Sequence, residues 1–363
     1  MTPTLHPVDP DGDTLLILHY PDAPFAVMDS VTIRRLTKPR NQLQLEFVEQ
    51  IRQELRSSKK SQSEPQVENN KEEIRFQLSS KHLTLASEYF RKMMANDWKE
   101  TTPAEGYSFV VTAEEWDQKA LLILMNIIHG RTTKVPLTIS LEMLAKVSVL
   151  VDYYKCHEAV DFFAKTWISN LPEPIPSSYG KNLVLRLCIS WIFSEVDIFR
   201  LLTKTVLYQS GGHIPSLGLP IPKAVISALE GKRLVLIAKF ISSLHELRFQ
   251  LSKDEGNCSF ECSSILLGAL VKGMDTACIP QALRYDGYSF MTLEQAMRCI
   301  KEPNYSSVPK SYSLCTRGVH PPGVHPHPTV PHRCTLSEKI RPILDANYQT
   351  IVGLELNAFT NQS

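Results

Sequence analysis

The sequence lacks an excess of charge of either sign, a long hydrophobic run and a secretion signal. Its 363 residues include 39 basic and 38 acidic side chains, which leaves a formal net charge of +1. We therefore expect no global attraction to nucleic acid or to an anionic membrane. Apolar runs such as Leu121–Met125 are too short to cross a bilayer, and the first residues lack the basic and apolar regions of a signal peptide. We expect an intracellular protein, cytoplasmic or nuclear.

The sequence also lacks the common catalytic motifs. It contains no G-x-G-x-x-G, no P-loop, no G-x-S-x-G and no H-E-x-x-H. His82, His129 and His245 lie in helical stretches without a carboxylate at catalytic spacing, so we interpret them as surface or capping residues. We predict that the protein is not an enzyme, has no catalytic residues and needs no cofactor. The alternative is an enzyme whose site lies within residues 180–363.

The eight cysteines are scattered and do not form the pattern of a disulfide framework. Without a secretion signal, we expect them to be reduced. We predict no metal site, but one zinc hypothesis stays open. Its ligands would be Cys258, Cys262, His332 and Cys334, whose side-chain types suit a closed tetrahedral site. One alternative is that the histidine-rich loop with His320, His325 and His327 binds metal loosely. The other is two buried thiols at the start of a helix and a disordered loop.

What the sequence contains is typical of a globular protein with two domains. Hydrophobic residues make up 43% of the chain and charged residues 21%, which is enough for a sizeable core. Composition divides the chain into six parts. They are an N-terminal tail (1–12), a first domain (13–171) with a charged insertion (31–72), a Pro-rich linker (172–179), a helical domain (180–300), a Pro/His-rich loop (301–334), and a C-terminal helix and tail (335–363). Residues 56–72 have almost no apolar side chain, so we predict that deleting them leaves the fold intact.

The stretch 73-EIRFQLSSKHLTLASEYFRKMM-94 changes its hydrophobic period halfway. Ile74, Phe76 and Leu78 alternate with polar residues, as in a half-buried strand. The later apolar residues recur at helical spacing, and they are Ala86, Tyr89, Phe90, Met93 and Met94. We predict a strand that turns directly into a helix.

Further elements are predicted from periodicity and capping. DTLLIL (13–18) and Tyr107–Thr112 are predicted strands, and LEMLAKVSVLVDYY is a predicted helix with Ser140 as its N-cap. Apolar stripes predict two more helices, through Leu121, Leu124, Met125 and Ile128, and through Val160, Phe163, Ala164, Trp167, Ile168 and Leu171. We assign the aromatic pairs Tyr153-Tyr154 and Phe162-Phe163 to core packing. Beyond residue 180 we predict helices, with a short strand or turn at 351–356.

The order of these elements resembles the BTB/POZ interaction domain. At the strand-to-helix corner this family carries the pattern F-x-x-H-x-x-x-L-x-x-x-S-x-Y-F. The chain matches it at Phe76, Leu83, Ser87, Tyr89 and Phe90. Ser79 stands in place of the histidine.

Three other motifs carry the same resemblance. The family's acid before its first apolar strand is matched by Asp13, and its L-A-D-x-Y-x-V is similar to Leu150–Cys156. Its L-L-x-F-I-Y-T-G is similar to Ile123–Gly130. The positions that differ in the last motif are Asn126, Ile128 and His129. The resemblance covers residues 13–171 apart from the insertion. The residues within the motifs are most similar to those of BTB proteins of filamentous fungi.

The resemblance implies an α/β (α+β) BTB/POZ-like domain, a small sheet covered by helix pairs, followed here by an all-helical C-terminal region. It implies that Ser87 caps a helix, and that Tyr89, Phe90 and Met93 fill the core. It also implies a protein-interaction module, an adaptor or scaffold whose partners are other proteins. These partners include a second copy of the chain in a homodimer and, in some members, a cullin ubiquitin-ligase scaffold. The alternative within this class is a nuclear, transcription-linked adaptor.

In cullin-recruiting members of the family, an apolar-x-Glu motif follows the helix that carries the Tyr-Phe pair. Trp98 and Glu100 occupy that position in this chain. We predict that they are partner-binding residues, with Trp98 anchored in a pocket and Glu100 making a charged hydrogen bond. The alternative is that Trp98 packs on the core beside Met94 while Glu100 is solvated.

Overall fold

The computed structural model describes residues 4–28, 73–95, 106–253, 259–277, 279, 288–304 and 334–360. These residues divide into two compact units, Met1–Glu230 with Gly353–Ser363, and Gly231–Val352. The division falls inside a long helix and not in the Pro-rich segment 172–179. The part of the chain that the structure describes is mixed α/β, with one four-stranded sheet and 12 α-helices.

Four strands form a mixed sheet in the first unit. They are β1 (Thr4–Pro7), β2 (Thr14–His19), β3 (Glu73–Leu78) and β4 (Phe109–Glu114), in the spatial order β1-β3-β2-β4. β2 and β3 are antiparallel, with Leu16 opposite Phe76, whereas β1 is parallel to β3 and β4 is parallel to β2. The strands predicted at 13–18 and 73–78 are confirmed, and β4 begins two residues later than predicted.

Strand β1 corrects the prediction of an N-terminal tail over residues 1–12. Its four residues are exposed or half-buried, so it carries no apolar alternation that periodicity could detect. Backbone contacts hold the following turn against β3. The Asp9 N–H donates to the Gln77 carbonyl at 3.0 Å. A Cβ at Gly12 would lie only 2.3 Å from the carbonyl oxygen of Leu78, so this close approach requires glycine.

Seven described helices of the first unit precede the long helix in which the division between the units falls. They are α1 (Ser80–Ala86), α2 (Glu88–Ala95), α3 (Gln118–Ile128), α4 (Leu141–Tyr154), α5 (His157–Ser169), α6 (Lys181–Ile192) and α7 (Val196–Gln209). α6 packs on α4 and on α7. The Ser140 Oγ accepts from the Met143 N–H at 3.3 Å, which confirms the predicted N-cap of α4.

The predicted apolar stripes on α3 and α5 are largely confirmed. All four predicted residues of α3 are buried. On α5, the buried members are Val160, Ala164, Trp167 and Ile168. Phe163 is half-buried and its neighbour Phe162 is 74% exposed, so the assignment of Phe162 to the core is wrong. Adjacent helix positions point about 100° apart, and only one of the pair can face the core.

Every regular secondary-structure element that the second unit has among its described residues is a helix. Its helices are the later part of α8 (Lys223–Ser252), α9 (Phe260–Thr276), α10 (Phe290–Arg298) and α11 (Leu336–Gln349). The rings of Phe240 and Phe290 lie 5.1 Å apart in its core. Residues 353–360, which end with α12 (Asn357–Thr360), belong to the first unit, where the Leu354 N–H donates to the Thr203 Oγ1 at 2.9 Å.

Several predictions concern segments outside the described residues. These are the insertion 31–72, most of the loop 301–334, and Trp98 with Glu100. Residues 351–356 form no strand. Among the helices that the structure describes, none combines the length and apolar character needed to cross a membrane.

Candidate protein-interaction surface

Hydrogen-bonding side chains hold the strand-to-helix corner. The Asp13 carboxylate accepts from the Ser80 N–H at 2.7 Å and from the Ser80 hydroxyl at 2.6 Å, which fixes the start of α1. Burial raises the pKa of Asp13, but these hydrogen bonds outweigh it and hold the pKa below its ordinary value. The Ser87 Oγ accepts from the Phe90 N–H at 3.1 Å and donates to the Tyr154 carbonyl. Ser87 therefore caps α2, as predicted, and also joins α2 to α4.

An imidazole from elsewhere in the chain takes part in the same corner. His129 is the C-cap of α3, and its Nε2 accepts from the Ser79 N–H at 2.9 Å. Its Nδ1 donates to the Met125 carbonyl at 2.8 Å. This pairing requires a neutral ring, since a protonated Nε2 cannot accept a hydrogen bond. The prediction that His129 is a capping residue is confirmed, and its ring lies 5.1 Å from that of the exposed His82.

Mild acidification is expected to destabilise the first unit through His129. Burial lowers the pKa of His129, and the charges of His82 and Arg131 lower it further. The unfolded chain therefore takes up a proton below about pH 6.5 that the folded state excludes. The neutral His129 ring therefore stabilises the folded state fully above about pH 6.5, and this stabilisation is lost as the pH falls through that value. Between about pH 7.5 and 5.5, the urea concentration at the unfolding midpoint should fall less in His129→Gln than in the wild type.

Tryptophan fluorescence during urea unfolding measures this effect in the first unit. All four tryptophans, Trp98, Trp116, Trp167 and Trp191, lie within Met1–Glu230. Burial also lowers the pKa of His6 and of His157, so part of the pH dependence should remain in the variant. His19→Gln is the control and should keep the full pH dependence. An unchanged slope in His129→Gln would contradict the assignment.

Five aromatic side chains form a cluster where α2, α4 and the turn after β4 meet. Phe90 stacks on Tyr154, with 4.9 Å between ring centroids and an interplanar angle of 11°. Tyr89 and Trp116 each lie 5.2 Å from Tyr153. Phe90 and Tyr154 are buried, whereas Tyr89 and Trp116 are half-buried and Tyr153 is 47% exposed. The cluster thus has a core half and a surface half, and we name Tyr89, Trp116 and Tyr153 the aromatic surface.

The turn that carries Trp116 is held firmly in place. Glu115 has a positive φ of 65°, which reverses the chain directly after β4. The Asp22 N–H donates to the Trp116 carbonyl at 3.0 Å, and the Asp22 Oδ1 accepts from the Gln118 N–H at 3.0 Å. The Asp117 Oδ1 accepts from the Ala120 N–H at 2.9 Å and so caps α3. Hydrogen bonds to the backbone at Trp116 and after it therefore hold the turn that carries the Trp116 side chain.

In the sequence, the predicted partner-binding residues lie between two members of the aromatic surface, Tyr89 and Trp116. Trp98 and Glu100 lie outside the described residues, so their role stays a prediction. Tyr89 lies on α2, which ends at Ala95, and Trp116 follows β4, which begins at Phe109. Tyr89 is half-buried, so its predicted core role is correct only in part, while the burial of Phe90 and Met93 is confirmed. The assignment of Tyr153 to the core is wrong, and the role of Trp116 was missed.

No metal-binding cluster of three or more His, Cys, Asp or Glu side chains occurs among the residues that the structure describes. Of the four proposed zinc ligands, Cys262 is buried and Cys334 is half-buried, whereas Cys258 and His332 are outside the described ranges. The zinc hypothesis therefore stays a prediction. Burial raises the pKa of the Cys156 thiol to about 12, which leaves it protonated at neutral pH.

The chain was compared with protein-family models, with curated proteins and with solved structures, and none of them matches it.

Proposed function

We propose that the chain is a protein-interaction module of the BTB/POZ type that acts as an adaptor or scaffold. The observation that carries this proposal is the aromatic surface of Tyr89, Trp116 and Tyr153. Tyrosine and tryptophan are enriched in the energetically dominant centres of protein interfaces. They contribute a large contact area at little cost in conformational entropy, because each side chain has few rotatable bonds. Their partial exposure leaves this contact area available to a partner.

The arrangement of the first unit supports the BTB/POZ part of the proposal. After the additional strand β1, strand β2 precedes strand β3, which runs directly into the two-part helix α1–α2. Strand β4 and the helix pairs that follow complete the order expected from the resemblance. The family positions Asp13 and Ser87 hold the corner by hydrogen bonds, and the family position Phe90 fills the core.

Self-association is part of the proposed function. Leu85 on α1 is 82% exposed, the largest value for a large hydrophobic side chain among the described residues. In a two-fold dimer the same surface of both copies forms the contact, so one exposed apolar side chain per chain removes two from water. We therefore propose that α1 contributes to a homodimer contact.

Light scattering on the full chain tests this contact. At tens of micromolar we expect a particle with the mass of two chains, and Leu85→Asp is expected to reduce it to one chain. Leu137→Asp is the matched control, since Leu137 is 73% exposed but lies after the 3-10 turn Thr132–Lys134. A monomer in the wild type, or a dimer unaffected by Leu85→Asp, would contradict the proposed contact.

A cullin scaffold is the specific partner that we propose. The support for it is the position of Trp98 and Glu100 directly after α2, next in sequence to an element of the aromatic surface. A tryptophan anchor supplies contact area, and a neighbouring carboxylate can fix the alignment of the two proteins by a charged hydrogen bond.

A further inference from the structure

A cavity of about 340 Å³ opens beside Trp116, on the first unit. Its walls come from residues 23–26 after β2, residues 114–117 at the end of β4 and in the turn after it, Ala120 of α3, helix α4, and the loop 217–219. Ligand pockets in proteins usually measure about 300–1,000 Å³, so this cavity is at the small end of the range. It has room for one long side chain and its immediate neighbours, but not for a large cofactor.

The cavity lining also includes one cation, Lys146, whose charge is already neutralised. The Lys146 Nζ lies 2.8 Å from the Asp117 Oδ2 and 3.4 Å from a Glu142 carboxylate oxygen. It also lies 5.7 Å from the centroid of the Phe25 ring. Glu142 is paired in addition with Lys181 at 3.1 Å. These two lysines and two carboxylates balance in charge, so Lys146 is not available to attract an anion.

The lining of the cavity includes two glutamates without an ion-pair partner among the described residues. Glu114 and Glu115 both line it, both are exposed, and neither makes an ion pair with any residue that the structure describes. Trp116, Leu217 and Leu219 line the same cavity. A small cavity lined by an indole, apolar side chains and two glutamates without an ion-pair partner among the described residues is complementary to a cationic side chain.

We propose that this cavity binds an arginine side chain presented by an exposed segment of a partner protein. The planar guanidinium can stack on the face of the Trp116 indole while its fixed fork of N–H donors is directed at carboxylates, which suits it to this site better than the compact ammonium group of lysine. Apolar residues beside the arginine contact Leu217 and Leu219. This site shares Trp116 with the aromatic surface, but it requires neither the BTB/POZ assignment nor the cullin contact.

The test uses N-acetyl-arginine N-methylamide as the probe and the full chain as the receptor, with saturation-transfer NMR as the readout. The matched probe is N-acetyl-citrulline N-methylamide, which has nearly the same shape but no charge. We expect the arginine probe to bind with a Kd of about 1 mM, a value typical of so small a ligand. The citrulline probe should bind at least about fivefold more weakly, because it lacks the ion pairs and the cation–π contact.

A pair of variants locates the binding. Glu114→Gln with Glu115→Gln should weaken the arginine probe to the level of the citrulline probe. Glu158→Gln with Asp161→Asn removes the same charge from exposed positions on α5 and should leave binding unchanged. Equal unfolding midpoints by tryptophan fluorescence show that the variants are folded.

Three results would overturn the proposal. They are the absence of arginine-probe binding up to about 10 mM, equal binding of the arginine and citrulline probes, and full binding by the Glu114/Glu115 variant. A cavity already occupied by another segment of this chain would give the first of these results. Neither that outcome nor its opposite affects the self-association experiment, which concerns Leu85 on α1.

Discussion

Replacement of Phe90 by alanine is expected to lower the free energy of unfolding of the first unit by about 3–5 kcal/mol. The side chain is fully buried, and its ring stacks on Tyr154 and meets the edge of Tyr89 at 5.5 Å. Truncation removes these contacts and leaves a cavity that the rigid corner cannot close, because Ser87 fixes α2 to α4. Since whole domains are stable by only about 5–15 kcal/mol, the loss should be large enough to unfold part of the population under mild conditions.

Urea unfolding followed by tryptophan fluorescence measures this loss in the unit that contains Phe90. Phe162→Ala is the matched control, because that side chain is 74% exposed on α5. The control should change the stability by no more than about 0.5 kcal/mol. A loss below about 1 kcal/mol for Phe90→Ala would contradict the role of Phe90 in the core.

The double substitution Trp98→Ala with Glu100→Ala is expected to weaken binding to a cullin scaffold at least about thirtyfold. This factor corresponds to the roughly 2 kcal/mol that defines a hot spot. The reason is that a buried tryptophan anchor supplies contact area while the glutamate supplies a charged hydrogen bond. Calorimetry or surface plasmon resonance with the cullin of the source organism provides the measurement.

The control for this experiment is Phe162→Ala with Glu158→Ala, an exposed aromatic and acidic pair on α5. It should bind as the wild type does. Wild-type protein that fails to bind at about 10 μM would contradict cullin recruitment altogether. Wild-type affinity in the Trp98/Glu100 variant would show instead that another surface makes the contact.

The corner of the fold could be predicted from the sequence because its signals are local. The change from alternation at Ile74, Phe76 and Leu78 to helical spacing occurs within one stretch of the chain. The caps Ser87 and Ser140 are each visible beside the helix that they start. These features depend on residues a few positions apart, and the structure confirms all of them.

Other features could not be predicted because they depend on distant residues. The hydrogen bond from Ser79 to His129 joins residues 50 positions apart. The cavity beside Trp116 combines segments from residue 23 to residue 219. Strand β1 is held by backbone pairing with β3 and not by an apolar pattern. Adjacent aromatics such as Tyr153 and Tyr154 look alike in sequence, and only the packing of α4 decides which one is exposed.

Site-specific photo-crosslinking tests most directly the central claim that the aromatic surface binds another protein. Tyr153 is replaced by the photoreactive residue benzoylphenylalanine in the full chain, and the protein is irradiated in cells of the source organism. The control carries the same residue at Phe162, which is also exposed but lies on α5. We predict discrete covalent adducts of higher mass from position 153 that the control does not form. Failure to form adducts at position 153, or the same adducts from both positions, would contradict the claim.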